Sequence, residues 1–575
     1  MSWKQKKRCL DLLAEELNYT QKLWGESLKI GLAYPNDYRT GMSNLGFQTV
    51  YAMINSHPDC LCERVFYPEP EYSPKKYEAL SLLSIESQRS LGEFDIVAFS
   101  LSFENDYPRI LEMLDLSKIP VKAEDRGDKY PLIAAGGIAV TLNPEPLTDF
   151  FDLFFIGEAE SVLPGFLDFM VSKKWLLKRE ELLSEIQKNI AGAYVPRLYS
   201  VTTGADGRII ERKPLDSSYP RTIIRQWAQQ INDFTTEQQI ITKNTELGNM
   251  YLVEVSRGCG RGCRFCAAGF ACRPVRFRSF ESLKPSFLKA IEWKKVVGLV
   301  GTAVSDHPEL VSLCRFILDK GGKVALGSLR MDRLSREMAS ILRESAIETP
   351  TFGPEAGSQT LRETIHKGIS EENILSVVDK LMEFDIIKAK LYFMVGLPRE
   401  TDEDIEAIIQ LIKKMQHHAR SISRGRGFRM LTLSVNQFIP KAMTPFQWHP
   451  LEDITVVRRR IRRLEQGLRS EKYARVNHDL PKWNYIQALL ALGDRQVGKL
   501  LLAAHLLNGN WSQAFHEVNI NADFYVYRKK NLDEILPWDF IEHELPKTFL
   551  IREYLPSEES AQIPFPSENE GTKGE

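Results

Sequence analysis

Val255-Ser256-Arg257-Gly258-Cys259-Gly260-Arg261-Gly262-Cys263-Arg264-Phe265-Cys266 is the stretch on which the reading of this chain turns. Three cysteines stand at the spacing C-x3-C-x2-C on one short, glycine-rich loop. Cubane iron–sulfur clusters are held by cysteine thiolates. Cys259, Cys263 and Cys266 supply three, which leaves the fourth iron of a [4Fe–4S] cluster free to chelate a substrate or cofactor. The glycines let the chain wrap tightly and turn backbone N–H groups toward the sulfurs. Arg257, Arg261 and Arg264 are expected to offset the negative charge of a thiolate-ligated cluster. The alternative is a zinc knot with Cys272 as fourth ligand, although zinc sites favour paired modules set further apart.

Around this loop an α/β series runs from about 248. Tyr251–Val255 reads as the strand that feeds the loop, and Val296–Val300, Val324–Leu326, Glu348–Phe352, Ala389–Val395 and Leu431–Val435 as five more, mostly separated by helical patterns. Six strands with right-handed crossovers predict a partial (β/α)6 barrel over 246–450. Upstream, residues 28–195 carry a second series. Leu28–Ala33, Phe94–Ser100, Pro131–Gly137 and Leu153–Glu158 are continuous apolar strands, as expected of a doubly wound parallel sheet covered on both faces. Ligand crevices of such sheets lie at the carboxyl ends of the strands. Gly136, Gly137 and Gly157 are predicted to meet there. Asn36, Asp37, Ser43 and Asn44 follow the first strand and could line the cleft or cap helices. Residues 1–27 hold an amphipathic helix, and 196–245 form a polar connector with a hairpin tip at Thr202–Gly207. Residues 451–555 read as a mainly helical region, and 556–575 as a disordered tail.

The chain has 575 residues, too many for one core, with 43% hydrophobic and 26% charged residues, an ordinary globular composition. The formal net charge of −1 excludes a polycation, so any nucleic-acid contact must come from local basic patches. Eight cysteines are too few for a disulfide scaffold, and the clustering of four of them points to metal in a reducing compartment, the cytoplasm. No signal peptide or membrane span is read.

The spacing C-x3-C-x2-C, with the aromatic Phe265 before the last cysteine and a barrel strand before the loop, resembles the radical S-adenosylmethionine (SAM) superfamily. The resemblance implies that the open iron binds the amino and carboxylate groups of SAM. An electron from a reductant such as flavodoxin or ferredoxin then cleaves SAM to a hydrogen-abstracting 5′-deoxyadenosyl radical. It also implies SAM contacts. Gly301 and Ser305 close the second strand, where the amino group is usually bound. Arg330 is a candidate carboxylate partner. Glu355 and Ser358, in Gly353-Pro354-Glu355-Ala356-Gly357-Ser358, look like the turn that reaches the ribose or methionine. Val395 and Gly396 look like the adenine-contacting strand end. The second-strand motif is Gly-Thr-Ala here in place of the commoner Gly-Gly-Glu, so amine recognition would rest on backbone carbonyls or Ser305.

The run through Gly136-Gly137, Asn143-Pro144-Glu145-Pro146 and Ile156-Gly157-Glu158 resembles the cobalamin-binding-like domain that precedes many radical SAM barrels. No Asp-x-His-x-x-Gly motif is present. Cobalamin bound without a histidine ligand, and a domain that keeps the fold without the cofactor, both stay open. Gly41–Gly46, Glu63–Phe66, Phe438–Lys441, Thr444–Trp448 and Leu536–Asp539 resemble stretches of one uncharacterised family of this type. The function expected is a radical SAM enzyme, with cobalamin-assisted methyl transfer to RNA, protein or another substrate as one form. The alternatives are a methylthiotransferase with a second cluster on Cys9, Cys60 and Cys62, and a non-catalytic iron–sulfur protein closed by Cys272. Arg458–Arg463, Arg273, Arg276 and Arg278 could hold RNA phosphates or be solvated and shielding residues.

Overall fold

The computed structural model describes residues 3–25, 27–68, 82–174, 176–479 and 481–558, and most of the expected tail lies outside the described residues. The N-terminal sheet holds β1 (Leu28–Tyr34), β2 (Cys60–Phe66), β3 (Ile96–Ser100), β4 (Leu132–Gly136), β5 (Leu153–Phe155) and β6 (Ala193–Tyr194). Its order is β2-β1-β3-β4-β5-β6, parallel except for β6. The edge strand β2 was not expected from the sequence: Glu63 and Arg64 interrupt its apolar run. Arg64 is nevertheless fully buried, ion-paired to Glu16 at 2.7 Å and to Glu86 at 2.6 Å.

One face of this sheet packs on α1 (Trp3–Ala14), α3 (Leu45–Ser56), α6 (Ala159–Lys173) and α7 (Arg179–Asn189). Between these elements lie α2 (Tyr38–Met42), α4 (Tyr107–Leu116) and α5 (Ile138–Leu142). The opposite face packs on α4 and on the C-terminal region, in one continuous apolar cluster. The connector carries the expected hairpin, β7 (Tyr199–Thr203) and β8 (Ile209–Pro214), then β9 (Ile223–Ile224).

The second half builds β10 (Tyr251–Arg257), β11 (Arg276–Phe277), β12 (Val296–Gly301), β13 (Lys323–Leu326), β14 (Ser328–Leu329), β15 (Thr351–Glu355), β16 (Lys388–Val395), β17 (Met430–Gln437) and β18 (Ala474–His478). Their helices are α8 (Phe280–Trp293), α9 (Leu310–Asp319), α10 (Arg336–Glu344), α11 (Gln359–Thr364), α12 (Glu371–Glu383), α13 (Asp402–Ile422) and α14 (Ile454–Leu468). Ser279, Ser335, Ser370 and Asp453 each accept a backbone N–H at a helix start. The strands form two sheets, β11-β10-β12-β13 and β14-β15-β16-β17-β18, which meet at Gly327 and do not close into a full barrel. The sequence reading ended the barrel at 450. In the structure α14 packs into the barrel core and β18 adds a further parallel strand beside β17. The remaining elements are α15 (Pro481–Leu492), α16 (Val497–Leu506), α17 (Trp511–Glu517), α18 (Asp523–Val526), β19 (Ile541–Glu542) and α19 (Lys547–Glu558). Among the described residues no helix is long and apolar enough to cross a membrane.

Sheet and barrel meet at a half-buried ion network. Glu158, at the start of α6, accepts from Arg257 at 2.8 Å and from Arg276 at 2.6 Å. Arg257 also pairs with Glu160 and Glu254, and Glu254 with Arg278. Burial alone would raise the Glu158 pKa, but the Arg276 hydrogen bond and the two guanidinium charges outweigh it and hold the carboxyl below its ordinary value.

Glu158→Gln is therefore expected to cost about 3 kcal/mol at neutral pH, because two guanidinium groups lose their carboxylate. A depressed pKa contributes stability that is full above the unfolded value and lost as pH falls through the folded one. Urea denaturation of wild type and E158Q should thus differ at pH 7 and converge in acid. Equal midpoints at pH 7 would contradict this account.

Candidate functional site

The cysteine loop leaves β10 at a register shift. Glu254 pairs with Val300 and Ser256 with Gly301, where a Cβ on Gly301 would lie 2.3 Å from Ser256 Oγ. Gly258 sits at φ +77, and a Cβ there would stand 2.4 Å from the Cys272 carbonyl oxygen. Only glycine lets the loop fold back against the segment after it. Burial raises the Cys263 and Cys266 thiols, Cys259 raises both further, and Cys266 adds to the effect on Cys263. Backbone N–H groups of Gly269 and Ala268 act on Cys266 in the opposite sense. Among the described residues no three such side chains close on a single ion position. In a cubane each thiolate binds a different iron, so convergence on one point is not required.

Each loop arginine has a carboxylate partner elsewhere in the chain, and Arg261 also acts on the Cys259 thiol. Arg257 points to Glu158, Glu160 and Glu254. Arg261 pairs with Asp306 and Asp332. Arg264 donates to the Thr364 carbonyl at 2.8 Å and pairs with Glu553 of α19. Each fastens the loop to a different part of the chain. Lys367 acts on the Cys263 and Cys266 thiols, and Arg330 on Cys263. Lys367 sits 5.8 Å from the Phe265 ring centroid and pairs with Glu355 at 2.9 Å. Sequence reasoning missed Lys367 because its turn carries no motif.

The other expected contacts divide. Glu355 stands at φ +66 beyond a register shift in β15, its carboxylate held by Lys367. Arg330 donates to Asp332 at 2.9 Å and to the Lys367 carbonyl, and its backbone N–H donates to Ser305 Oγ at 3.1 Å. Ser358 caps α11 and donates to Asp404, so its hydroxyl is already engaged. The Val395 side chain faces the helices, which leaves its backbone alone for any ligand in the barrel. Gly396, at φ +86, donates to Glu400 at 2.7 Å. Burial pushes Glu400 up to about 8 despite this bond and the nearby Arg460.

Between the N-terminal sheet and the loop lies a cavity of ≈ 610 Å³. Gly136, Gly137 and Gly157 line it, with Cys272 and Arg257 on the barrel side. Gly137 (φ +116) and Gly157 (φ +129) pass so close to the Leu101 and Gln226 carbonyls that a Cβ would lie 2.4 and 2.0 Å away. The cavity runs as an apolar slot along β1 and β3, between α3 and α6, past Ile30, Ile96, Ile54 and Phe166. For the order β2-β1-β3 this is the topological switch point, where open sheets bind ligands. Asp37 and Asn44 cap α2 and α3, and Ser43 and Asn44 also reach the cavity. Its described lining contains no histidine.

Cys272 lines this cavity, among Arg225, Glu158, Arg276 and Arg257. Cys9, Cys60 and Cys62 are packed in the apolar core of the sheet, and burial pushes Cys9 up to about 12 and Cys60 up to about 11. Of the basic stretches, Arg460, Arg276 and Arg278 are buried in ion pairs, while Arg458, Arg459, Arg462 and Arg463 stand exposed on α14. Arg460 pairs with Glu400 at 2.9 Å, Arg459 and Arg463 with Asp402, and Arg276 and Arg278 with Glu158 and Glu254. Arg273 donates to the Gly269 carbonyl at 2.7 Å.

Residues 46–196 match the family described as "Radical SAM proteins, N-terminal", and residues 253–412 the "Radical SAM superfamily". The "Uncharacterized protein MJ0966" of Methanocaldococcus jannaschii is 30% identical over 475 residues, 82% of this chain and 90% of that protein. The ribosomal protein uS12 methylthiotransferase RimO of Thermotoga petrophila is 25% identical over 177 residues, 28% of this chain and 41% of that one. The solved structure of the radical S-adenosylmethionine methyltransferase TsrM from Kitasatospora setae, with cobalamin and a [4Fe-4S] cluster bound, is 13% identical with a TM-score of 0.44, covering 71% of this chain and 75% of that one. With one relative aligned across most of both chains, and the superfamily description falling on the strand, the cysteine loop and the helices that follow, the chain belongs to the radical SAM superfamily of SAM- and [4Fe–4S]-dependent enzymes.

Proposed function

We propose that Cys259, Cys263 and Cys266 hold a [4Fe–4S] cluster with one iron left to SAM, and that the cavity above it takes cobalamin for methyl transfer. The observation that carries the first part is that the three cysteines share one tight loop at the end of β10, folded back at Gly258, while Cys272 lines the cavity beside the sheet. When bound, the cluster and SAM supply one-electron cleavage of the sulfonium, and cobalamin a methyl carrier. The protein's part is binding, orientation and exclusion of water. Lys367 and Arg330 are placed to take the SAM carboxylate, since both are cations at the thiol side and Arg330 is steadied by Asp332 and the Lys367 carbonyl. Glu355 is placed to accept from the ribose hydroxyls or the amino group. Gly301 and Gly396 offer backbone at strand ends, Ser305 anchors the Arg330 backbone, and Ser358 holds α11 in place.

Support for cobalamin comes from the slot beside the sheet. Its ≈ 610 Å³ falls within the usual range for ligand pockets, Gly137 and Gly157 in its lining admit no side chain, and it reaches Cys272 and Arg257 beside the cysteine loop. With no histidine in its described lining, a corrin there would lack a protein imidazole ligand. The methylthiotransferase reading is disfavoured, because Cys9, Cys60 and Cys62 are enclosed in hydrocarbon. RNA and protein remain the macromolecular substrates in view: Arg276 and Arg278 are used inside the fold, whereas Arg458, Arg459, Arg462 and Arg463 are exposed on α14.

Anaerobic reconstitution should yield about four irons per chain. Cys272→Ala should leave that content unchanged, whereas Cys263→Ala should abolish it. Loss of iron in C272A would return the closed-cluster reading, and about eight irons would return the second cluster. Lys367→Met should keep the iron and weaken SAM binding about tenfold or more, read by the EPR change of the reduced cluster on SAM titration. With cobalamin supplied, S-adenosylhomocysteine should accumulate. 5′-Deoxyadenosine alone would restrict the enzyme to hydrogen abstraction.

A further inference from the structure

The inner wall of the open barrel is not packed. On β16 the outward residues Ala389, Leu391, Phe393 and Val395 are buried at 1% exposure or less, while Lys390, Tyr392 and Met394 are half-buried. On β17 the same alternation buries Leu431, Leu433 and Val435 and leaves Thr432, Ser434 and Asn436 half-buried. Barrel interiors are ordinarily filled by bulky branched side chains. Here the inward positions other than Met394 are polar and half-buried, and Arg475 on the edge strand is exposed.

The strand register sets these residues in layers. Thr351, Lys390, Thr432 and Arg475 stand side by side on β15, β16, β17 and β18. One step higher come Tyr392, Ser434 and Asn477. Lys390 Nζ donates only to Tyr392 Oη, at 3.3 Å, and Arg475 Nε to Asn477 Oδ1 at 3.1 Å. Among the described residues neither cation has a carboxylate within ion-pair distance, in a chain whose other inward cations, Lys367 and Arg330, are paired. β18 is the edge of its sheet, so this layer lies at the lateral opening of the barrel.

We propose that Lys390 and Arg475, with the hydroxyls of Thr432, Ser434 and Tyr392, bind a phosphate group of the substrate. Two unpaired cations and three hydroxyl donors suit a dianion with several acceptor oxygens better than a single carboxylate. Lys390 stands five residues before the end of β16. At about 3.3 Å per residue the phosphate site lies about 16 Å below the strand ends. The substrate is therefore elongated, with its reacting end near the cysteine loop and its phosphate low in the lumen. This rests on the reading that SAM is cleaved at those strand ends.

The test is equilibrium dialysis of radiolabelled inorganic phosphate against the reconstituted protein with saturating SAM, which occupies Lys367 and Arg330. Binding of about one phosphate per chain is expected, weakened about tenfold by Lys390→Met and by Arg475→Gln and retained by Lys390→Arg. Lys414→Met, on the outer face of α13 where Lys414 pairs with Glu371, should bind as wild type. Absence of phosphate binding, equal binding by K390M and R475Q, or displacement of phosphate by acetate at equal concentration would overturn the proposal. Failure of the SAM reading shows separately, as a reduced-cluster EPR signal that SAM does not alter.

Discussion

The carboxylate of Glu158, shared between Arg257 and Arg276, is the contact on which the arrangement of the molecule depends. Arg257 is the last residue of β10, and Cys259 follows two positions later. Glu158 follows Gly157, which lines the cavity at the end of the N-terminal sheet. One half-buried carboxylate thus ties the floor of the cavity to the strand end from which the cysteine loop departs. Breaking such a pair leaves a charge without solvent or partner, so the two halves are held in register by the cost of separating them.

The loop itself is fastened at three further points. Arg261 binds the segments after β12 and β14 through Asp306 and Asp332, and Arg264 binds α19 through Glu553. Lys367 and Arg330 act on the Cys263 thiol, and Arg261, though paired with Asp306, acts on that of Cys259. This placement suits an enzyme that must bind an anionic carboxylate beside an already anionic cluster.

Two spaces converge on the loop, and they differ in character. The cavity beside the sheet is walled by Ile30, Ile96, Ile54 and Phe166 and suits a large, partly apolar cofactor. The barrel interior is lined by lysine, hydroxyl and amide groups and suits a polar substrate. The C-terminal helices fix their relation by packing on the sheet in one core while α14 packs on the barrel. Asn143 donates to the Gly493 carbonyl at 2.8 Å, and Arg495 meets Glu145 at 3.0 Å, so residues after 450 complete the fold of residues before 200.

The sequence by itself determined whatever depends on neighbours along the chain. The cysteine spacing, the glycines that allow its turns, the apolar strands of both sheets and the hairpin at 202–207 were all legible, because each is set by local conformation and burial pattern. The edge strand β2 was not, since Glu63 and Arg64 break its pattern and only Glu16 and Glu86 make their burial tolerable. The roles of the loop arginines were read as shielding, because their partners lie far along the chain, Glu158 being 99 residues from Arg257 and Glu553 289 from Arg264. Only the tertiary structure decided that Lys367 acts on the Cys263 and Cys266 thiols, that Cys272 lines the cavity, and that Lys390 and Arg475 share a layer. A side chain's charge is written in the sequence, but what it meets is settled by which distant surfaces the packed core brings within a few ångströms.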